Sequence, residues 1–188
     1  MKKVLIVFSF CILLVFTVKS QYLELEDKPS FSERIFYGGN IGLSFGYYTF
    51  ISVNPIIGYR ITNRLSAGIG GNYIYMSSKA DNNPYSISLW GGNAFASYTI
   101  IKELEEIIPF ISSKSSLLLY GEYNIMNVES YYSDLGRDEK WQVNPLLGFA
   151  LQSGFGGRSY VIIKVLYNFN EYLHSLYPNP VIRVSFQI

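Results

Sequence analysis

Residues 181–188 alternate without a fault, with Ile182, Val184, Phe186 and Ile188 on one face and Val181, Arg183, Ser185 and Gln187 on the other. A period of two is the signature of a β-strand with unlike faces. The sequence stops at this strand, and a terminal strand leaves a bare row of hydrogen-bonding groups unless it pairs. Closure onto the first strand of the chain removes both edges at once. The expected architecture is therefore all-β, a closed barrel with residues 179–188 as its last strand.

Seven further alternating segments precede it, each roughly as long as a membrane-crossing strand: residues 35–46, 49–60, 65–76, 85–99, 115–128, 141–153 and 159–170. The count predicts an eight-stranded antiparallel up-and-down transmembrane β-barrel over 35–188. In the fourth segment the phase is expected to switch at Gly91-Gly92 through a bulge. Connections 61–64 and 154–158 are tight, whereas 77–84, 129–140 and 171–178 are longer and polar. Short turns opposite longer loops match the two ends of an outer-membrane barrel, turns in the periplasm and loops outside. Two connections depart from that pattern: 46–48 is short, and 100–114 is long, with Leu104, Ile107 and Ile108 spaced for a brief amphipathic helical turn. Glu103, Glu105 and Glu106 in the same stretch read as a solvated charge run.

The strand pair 53–59 (VNPIIGY) and 143–149 (VNPLLGF) is an internal echo four strands apart, and Asn179-Pro180 repeats its dipeptide. Duplication and convergence both account for it. Proline gives no ladder hydrogen bond, so Pro55 and Pro145 are expected at bends or bulges.

Residues 1–20 open with Lys2 and Lys3, run apolar from Val4 to Val18 and end in Val-Lys-Ser. This is the layout of a cleaved signal peptide, too short for a typical membrane span. Residues 21–34 follow as a polar periplasmic lead-in. Removing the signal takes away Lys2, Lys3, Lys19 and the single cysteine, Cys11, and turns the formal net charge of +1 slightly negative. No nucleic-acid footprint remains, and a cysteine-free chain crosses an oxidising compartment without mispairing.

Face chemistry separates a membrane barrel from a lipocalin-like one, whose polarity is inverted. One face is nearly free of charge and ends in aromatics such as Tyr37, Tyr59, Tyr73, Tyr75, Trp141 and Phe169. The other carries Gly, Asn, Ser and Gln. Only 15% of the chain is charged, against about 25% in ordinary soluble domains. The apolar face is thus expected to meet lipid between two aromatic girdles.

The run 37–46 (YGGNIGLSFG), Asn54-Pro55 with Gly58-Tyr59-Arg60, and the closing Asn179-Pro180-Val181-Ile182-Arg183-Val184 resemble small outer-membrane β-barrel proteins of the Bacteroidetes, loosely of the OmpA/OmpX/OmpW type. The resemblance covers essentially the whole chain after the signal. It implies architecture and no chemistry; the barrel is expected to sit in outer-membrane lipid as a monomer or nearly so. A final strand with an aromatic near its end, here Phe186, also resembles the signal read by the barrel-assembly machinery, although this chain ends in Ile188.

On the polar face Arg60, Glu122, Lys164 and Arg183 point into the lumen. They form either an ion pathway or a salt-bridged plug, and an eight-stranded interior is narrow enough for side chains to fill. Glu122 is the expected mate of Arg183, provided the two heads meet at one height across the barrel. The loops carry Tyr131, Tyr132, Tyr172, His174 and Tyr177, candidates for interaction or for girdle and loop packing. His174 with Ser175, or with Ser133 and Asp134, is the one arrangement that suggests a rim enzyme acting on lipid. Catalysis needs a nucleophile, a base and an orienting group to converge, so no enzyme, metal or cofactor is expected. The functional expectation is a structural or interaction role through loops 77–84, 129–140 and 171–178. An alternative is binding or lateral passage of a small hydrophobic ligand, for which Gly38-Gly39 and Gly70-Gly71 would permit a gap.

Overall fold

A computed structural model describes residues 30–44, 48–78, 85–108, 114–129, 140–170, 177 and 179–188. Eight strands run in chain order around a closed antiparallel barrel: β1 Ile35–Ser44, β2 Tyr48–Arg60, β3 Leu65–Ser78, β4 Tyr85–Ile101, β5 Ser115–Asn127, β6 Trp141–Gly156, β7 Ser159–Asn168 and β8 Val181–Gln187. Ser30 leads into a four-residue helical turn, Phe31–Arg34, whose Phe31 ring lies 5.3 Å from that of Tyr59. We call the end carrying both β1's start and β8's finish the turn end, and the opposite one the loop end.

The last strand closes on the first, as the alternation requires. Tyr37 and Ile188 exchange both backbone hydrogen bonds, at 2.9 and 3.0 Å, and the ladder continues through Gly38↔Gln187 and Gly39↔Phe186. It stops there. Gly38 is needed because a Cβ at this position would strike the Phe186 carbonyl, and Gly39 sits at φ +152°, a region that side chains rarely allow. Beyond these glycines β1 and β8 no longer pair, whereas β8 pairs with β7 along its whole length.

Alternation places Ile182, Val184 and Phe186 outward and Val181, Ser185 and Gln187 inward, with Arg183 nearly buried among the inward set. The same phase runs unbroken through β4. Ile87, Leu89, Asn93 and Phe95 are buried while Ser88, Trp90, Ala94 and Ala96 are exposed, and the pairing with β3 passes Gly91 and Gly92 without a shift. The expected bulge at Gly91-Gly92 is therefore absent; the irregularity lies between Thr99 and Ile101. The sequence misleads here because β4 turns Ile87, Leu89 and Phe95 inward and sets Ser86, Ser88, Ala94 and Ala96 outward beside Trp90 and Tyr98.

Asn-Pro dipeptides mark openings in the ladder and shift no register. The β2–β3 pairing skips Asn54 and Pro55 and resumes in the same register. Asn54 Nδ2 fills the opening by donating to Gly71 O at 2.7 Å and Asn72 Oδ1 at 2.6 Å. At β6 the paired register with β7 begins at Leu146; beside it Phe169 N still donates to Pro145 O at 2.9 Å, and Asn170 Nδ2 donates to Val143 O at 2.8 Å. Before β8, Asn179 imitates a backbone bridge: it accepts from Asn168 N at 2.6 Å and donates to Asn168 O at 2.9 Å. Asparagine thus supplies the donor that proline lacks. Removing both bonds with Asn179→Ala is expected to cost about 1–3 kcal/mol, since each is worth roughly 0.5–1.5 kcal/mol; denaturant titration of the folded barrel measures it.

The 102–114 connection holds a 3-10 turn, Leu104–Glu106, with Leu104 buried and Ile107 and Ile108 exposed. Glu105 is more than a solvated charge. Its carboxylate accepts from Lys114 N at 2.7 Å and Ser115 N at 3.2 Å, capping the start of β5. Bonds from its own amide and from those of Lys114 and Ser115 favour the charged form and lower the Glu105 pKa. A lowered folded-state pKa means that the cap stabilises fully above the ordinary glutamate range and is lost as pH falls through the lowered value. Hydrogen exchange at the Lys114 and Ser115 amides should accelerate over that acid range, and Glu105→Gln should weaken protection at neutral pH and flatten the acid dependence.

Candidate functional site

The inside of the barrel is packed in three tiers. Toward the turn end Phe36, Ile56, Phe95, Leu118, Tyr120, Leu146, Ala150, Ile162, Leu166 and Val181 form one buried cluster, with the Phe95 and Tyr120 rings stacked at 5.7 Å. Toward the loop end Ile74, Ile87, Leu89, Met126 and Val128 form a second. Sequence reasoning treated this face as a polar plug and missed both. They come from apolar doublets such as Ile56-Ile57, Leu118-Leu119, Leu146-Leu147 and Ile162-Ile163, where alternation turns one member of each pair inward.

Between the clusters lies a belt of asparagines, one inward from each of β1 to β7: Asn40, Asn54, Asn72, Asn93, Asn124, Asn144 and Asn168. Register aligns them, with Asn40 opposite Asn54, Asn93 opposite Asn124, and Asn124 opposite Asn144. On β8 the register sets Arg183 opposite Lys164 and not opposite Asn168. Neutral amides suit such a tier, since each can donate and accept without the desolvation cost of a charge. Each asparagine is visible in the sequence; their common height is not, because it depends on register.

Three of the four expected lumenal charges meet at this belt. Arg183 Nη1 donates to Glu122 Oε1 at 2.8 Å, with both side chains nearly buried. Glu122 also accepts from the Tyr120 hydroxyl at 3.2 Å and Asn124 Nδ2 at 3.3 Å. Lys164, directly opposite Arg183 in the β7–β8 ladder, places its ammonium 4.1 Å from the centre of the Tyr120 ring. Arg60 is separate. It sits at the turn-end mouth over the Phe36 ring and donates to Glu33 O at 3.4 Å, because it is the last residue of β2 and the belt's Asn54 comes earlier in that strand.

Tyr177 does not project outward as an interaction residue. Its ring lies under the Arg183 guanidinium at 4.8 Å, and its carbonyl accepts from Asn168 Nδ2 at 3.0 Å. Tyr131, Tyr132, Tyr172 and His174, with Ser133, Asp134 and Ser175, lie outside the described residues. Among the described residues no group of three His, Cys, Asp or Glu side chains could hold a metal ion.

The outer surface is of one kind. Every Asp, Glu, Lys and Arg within the described strands occupies an inward position, namely Arg60, Glu122, Lys164 and Arg183. The outward positions carry exposed Ile41, Leu43, Ile69, Leu147, Phe149, Ile163, Val165, Ile182 and Val184 around the middle. Aromatic rings mark both margins, Tyr37, Tyr98 and Phe186 toward the turn end and Tyr73, Trp90, Trp141 and Phe169 toward the loop end. Trp90 and Trp141 pack edge to face at 5.3 Å.

Finally, the described residues leave a hollow beside the parted strands. A cavity of about 270 Å³ lies where β1 and β8 have parted, bounded by Asn40, Ile41 and Gly42 on one side and Val181 to Val184 on the other, with Asn54 and Asn72 behind. No protein-family model, curated protein or solved structure matches this chain.

Proposed function

We propose that this chain is an integral outer-membrane β-barrel of a Gram-negative bacterium, exported by a signal peptide over residues 1–20, inserted by the barrel-assembly machinery and monomeric in the lipid. The observation that carries this reading is the uncharged apolar belt between two aromatic margins around a closed eight-stranded barrel. An apolar surface that encircles a molecule far exceeds the patches of a few hundred Å² usual on soluble monomers. It matches the lipid-facing band of a membrane barrel. The two apolar clusters and the ion pair at Glu122 support a barrel without an open pore, so the role is structural or interactive, exercised at the loop end. Cell fractionation should recover the chain with the outer membrane, migrating faster unheated than boiled on a denaturing gel. Planar-bilayer recording should show no steady conductance; a large, steady one would contradict the plugged lumen. A second reading, capture of a small hydrophobic ligand at a lateral opening, is favoured by the parting of β1 and β8.

A further inference from the structure

We infer that the outward faces of β2, β3 and β4 at the loop end form a contact site for the uncharged sugar head of an outer-leaflet glycolipid. This rests on the membrane reading, which sets the level of the surrounding lipid.

Register builds the surface in rows. Thr49, Ser77 and Ser86 stand opposite one another across the three strands, and Tyr75 opposite Ser88 belongs to the next row down. Below them Tyr73 faces Trp90, and the same row runs through Asn127 to Trp141. All take the outward phase: Ser86, Ser88 and Trp90 are exposed, while Ile87 and Leu89 between them are buried. The hydroxyls meet in two pairs, Tyr73 with Ser88 at 3.4 Å and Ser86 donating to Tyr75 at 3.2 Å. A hydroxyl has one donor and two acceptor sites, so these long bonds leave capacity for a further partner.

Height separates a sugar from a phospholipid head. With the Trp90 ring at the membrane margin, Ser86 stands four residues farther along β4. At about 3.4 Å per residue and a tilt of roughly 40°, that is about 10 Å along the membrane normal. A phospholipid head region is only about 5–8 Å deep on each side. The upper row therefore rises past it, to where the longer head of a glycolipid continues.

Chemistry points the same way. These rows offer hydroxyls and ring faces and carry no Asp, Glu, Lys or Arg. At the neighbouring ends of β5 and β6, Glu129 and Lys140 pair with each other at 3.4 Å. A phosphate would call for arginine or lysine. A surface standing in water would carry charge at about one position in four. Hydroxyls that both donate and accept, beside amphipathic rings, match the hydroxyls and C–H faces of a sugar.

Native mass spectrometry of the full chain released from mixed detergent–lipid micelles tests this with three lipids of identical acyl chains: dioleoylphosphatidylcholine, dioleoylphosphatidylglycerol and diglucosyl dioleoylglycerol. Expected is retention of the glycolipid about five- to ten-fold above either phospholipid, the factor that one hydrogen bond of ordinary strength supplies. The quadruple variant Tyr73→Phe, Tyr75→Phe, Ser86→Ala, Ser88→Ala keeps both rings and should bring the three lipids to within about two-fold of one another. Ser88→Arg should move the preference to phosphatidylglycerol, because it supplies a cation at phosphate level. Heat-modifiable migration certifies the fold of each variant. Three results would overturn the site: equal retention of all three lipids by the folded unaltered chain, a preference of that chain for phosphatidylglycerol, or an undiminished glycolipid preference in the folded quadruple variant. A chain that stays soluble without detergent would instead sink the membrane reading, and this site with it.

Discussion

Replacing Glu122 with leucine is expected to destabilise the barrel by about 3–5 kcal/mol, the usual cost of removing one partner from a buried ion pair. Arg183 and Lys164 stand directly opposite each other on β8 and β7, an arrangement that is unfavourable without a counter-charge. Glu122, reaching across from β5, supplies it at 2.8 Å from Arg183. The leucine variant leaves two cations in a packed lumen and also strips the Tyr120 hydroxyl and Asn124 of an acceptor. Adding Lys164→Met and Arg183→Met to Glu122→Leu should restore most of the loss, since a buried ionic cluster is often replaceable by apolar residues of similar volume. Denaturant titration in lipid vesicles, followed by tryptophan fluorescence, measures both variants. A single variant as stable as the parent would show that the cluster does not hold the lumen together.

The second large effect is expected on the outer face. Val165 lies midway along β7, points outward and is about half exposed. Val165→Arg should cost about 2–4 kcal/mol in lipid vesicles, as for a charge at the bilayer midplane of a transmembrane barrel. In a water-soluble barrel the same change at an exposed strand position would fall within about 0.5 kcal/mol of neutral. The matched substitution Ser159→Arg, at the turn-end margin of the same strand, should cost about 1 kcal/mol or less, because the penalty fades toward the interface. The difference between the two positions therefore reports depth in the membrane rather than a general intolerance of arginine.

These two residues show how unevenly the molecule can be read from its sequence. The outward face of β8 and β7 is legible at once, because Ile182, Val184 and Phe186, and Ile163 and Val165, alternate with residues of opposite character. Closure onto β1 follows from the same pattern, as does the meeting of Arg183 with Glu122. The phase of β4 is illegible, since Ile87, Leu89 and Phe95 serve the lumen and Ser88 and Ala94 face out, opposite to the rule that works elsewhere. The asparagine belt depends on strand register, which no single strand encodes. The parting of β1 from β8 begins at Gly38-Gly39, a doublet the sequence marks as permissive, but which neighbour the strand leaves is decided only by pairing. Glu105 looks like one of three equivalent acids and differs solely because the chain folds Lys114 and Ser115 back over its carboxylate.

The chain carries its own reporters of the apolar belt. Its two tryptophans, Trp90 and Trp141, both point outward at the loop-end margin, 56% and 51% exposed. The most direct measurement is tryptophan fluorescence of the chain folded into phosphatidylcholine vesicles, compared with vesicles whose acyl chains carry bromine as a contact quencher. Strong quenching is expected by bromines placed near the carbonyl end of the chains and weaker quenching by those near the terminal methyl, as for rings at a membrane margin. Undiminished emission in every brominated vesicle, from a chain that migrates as a folded barrel, would contradict it.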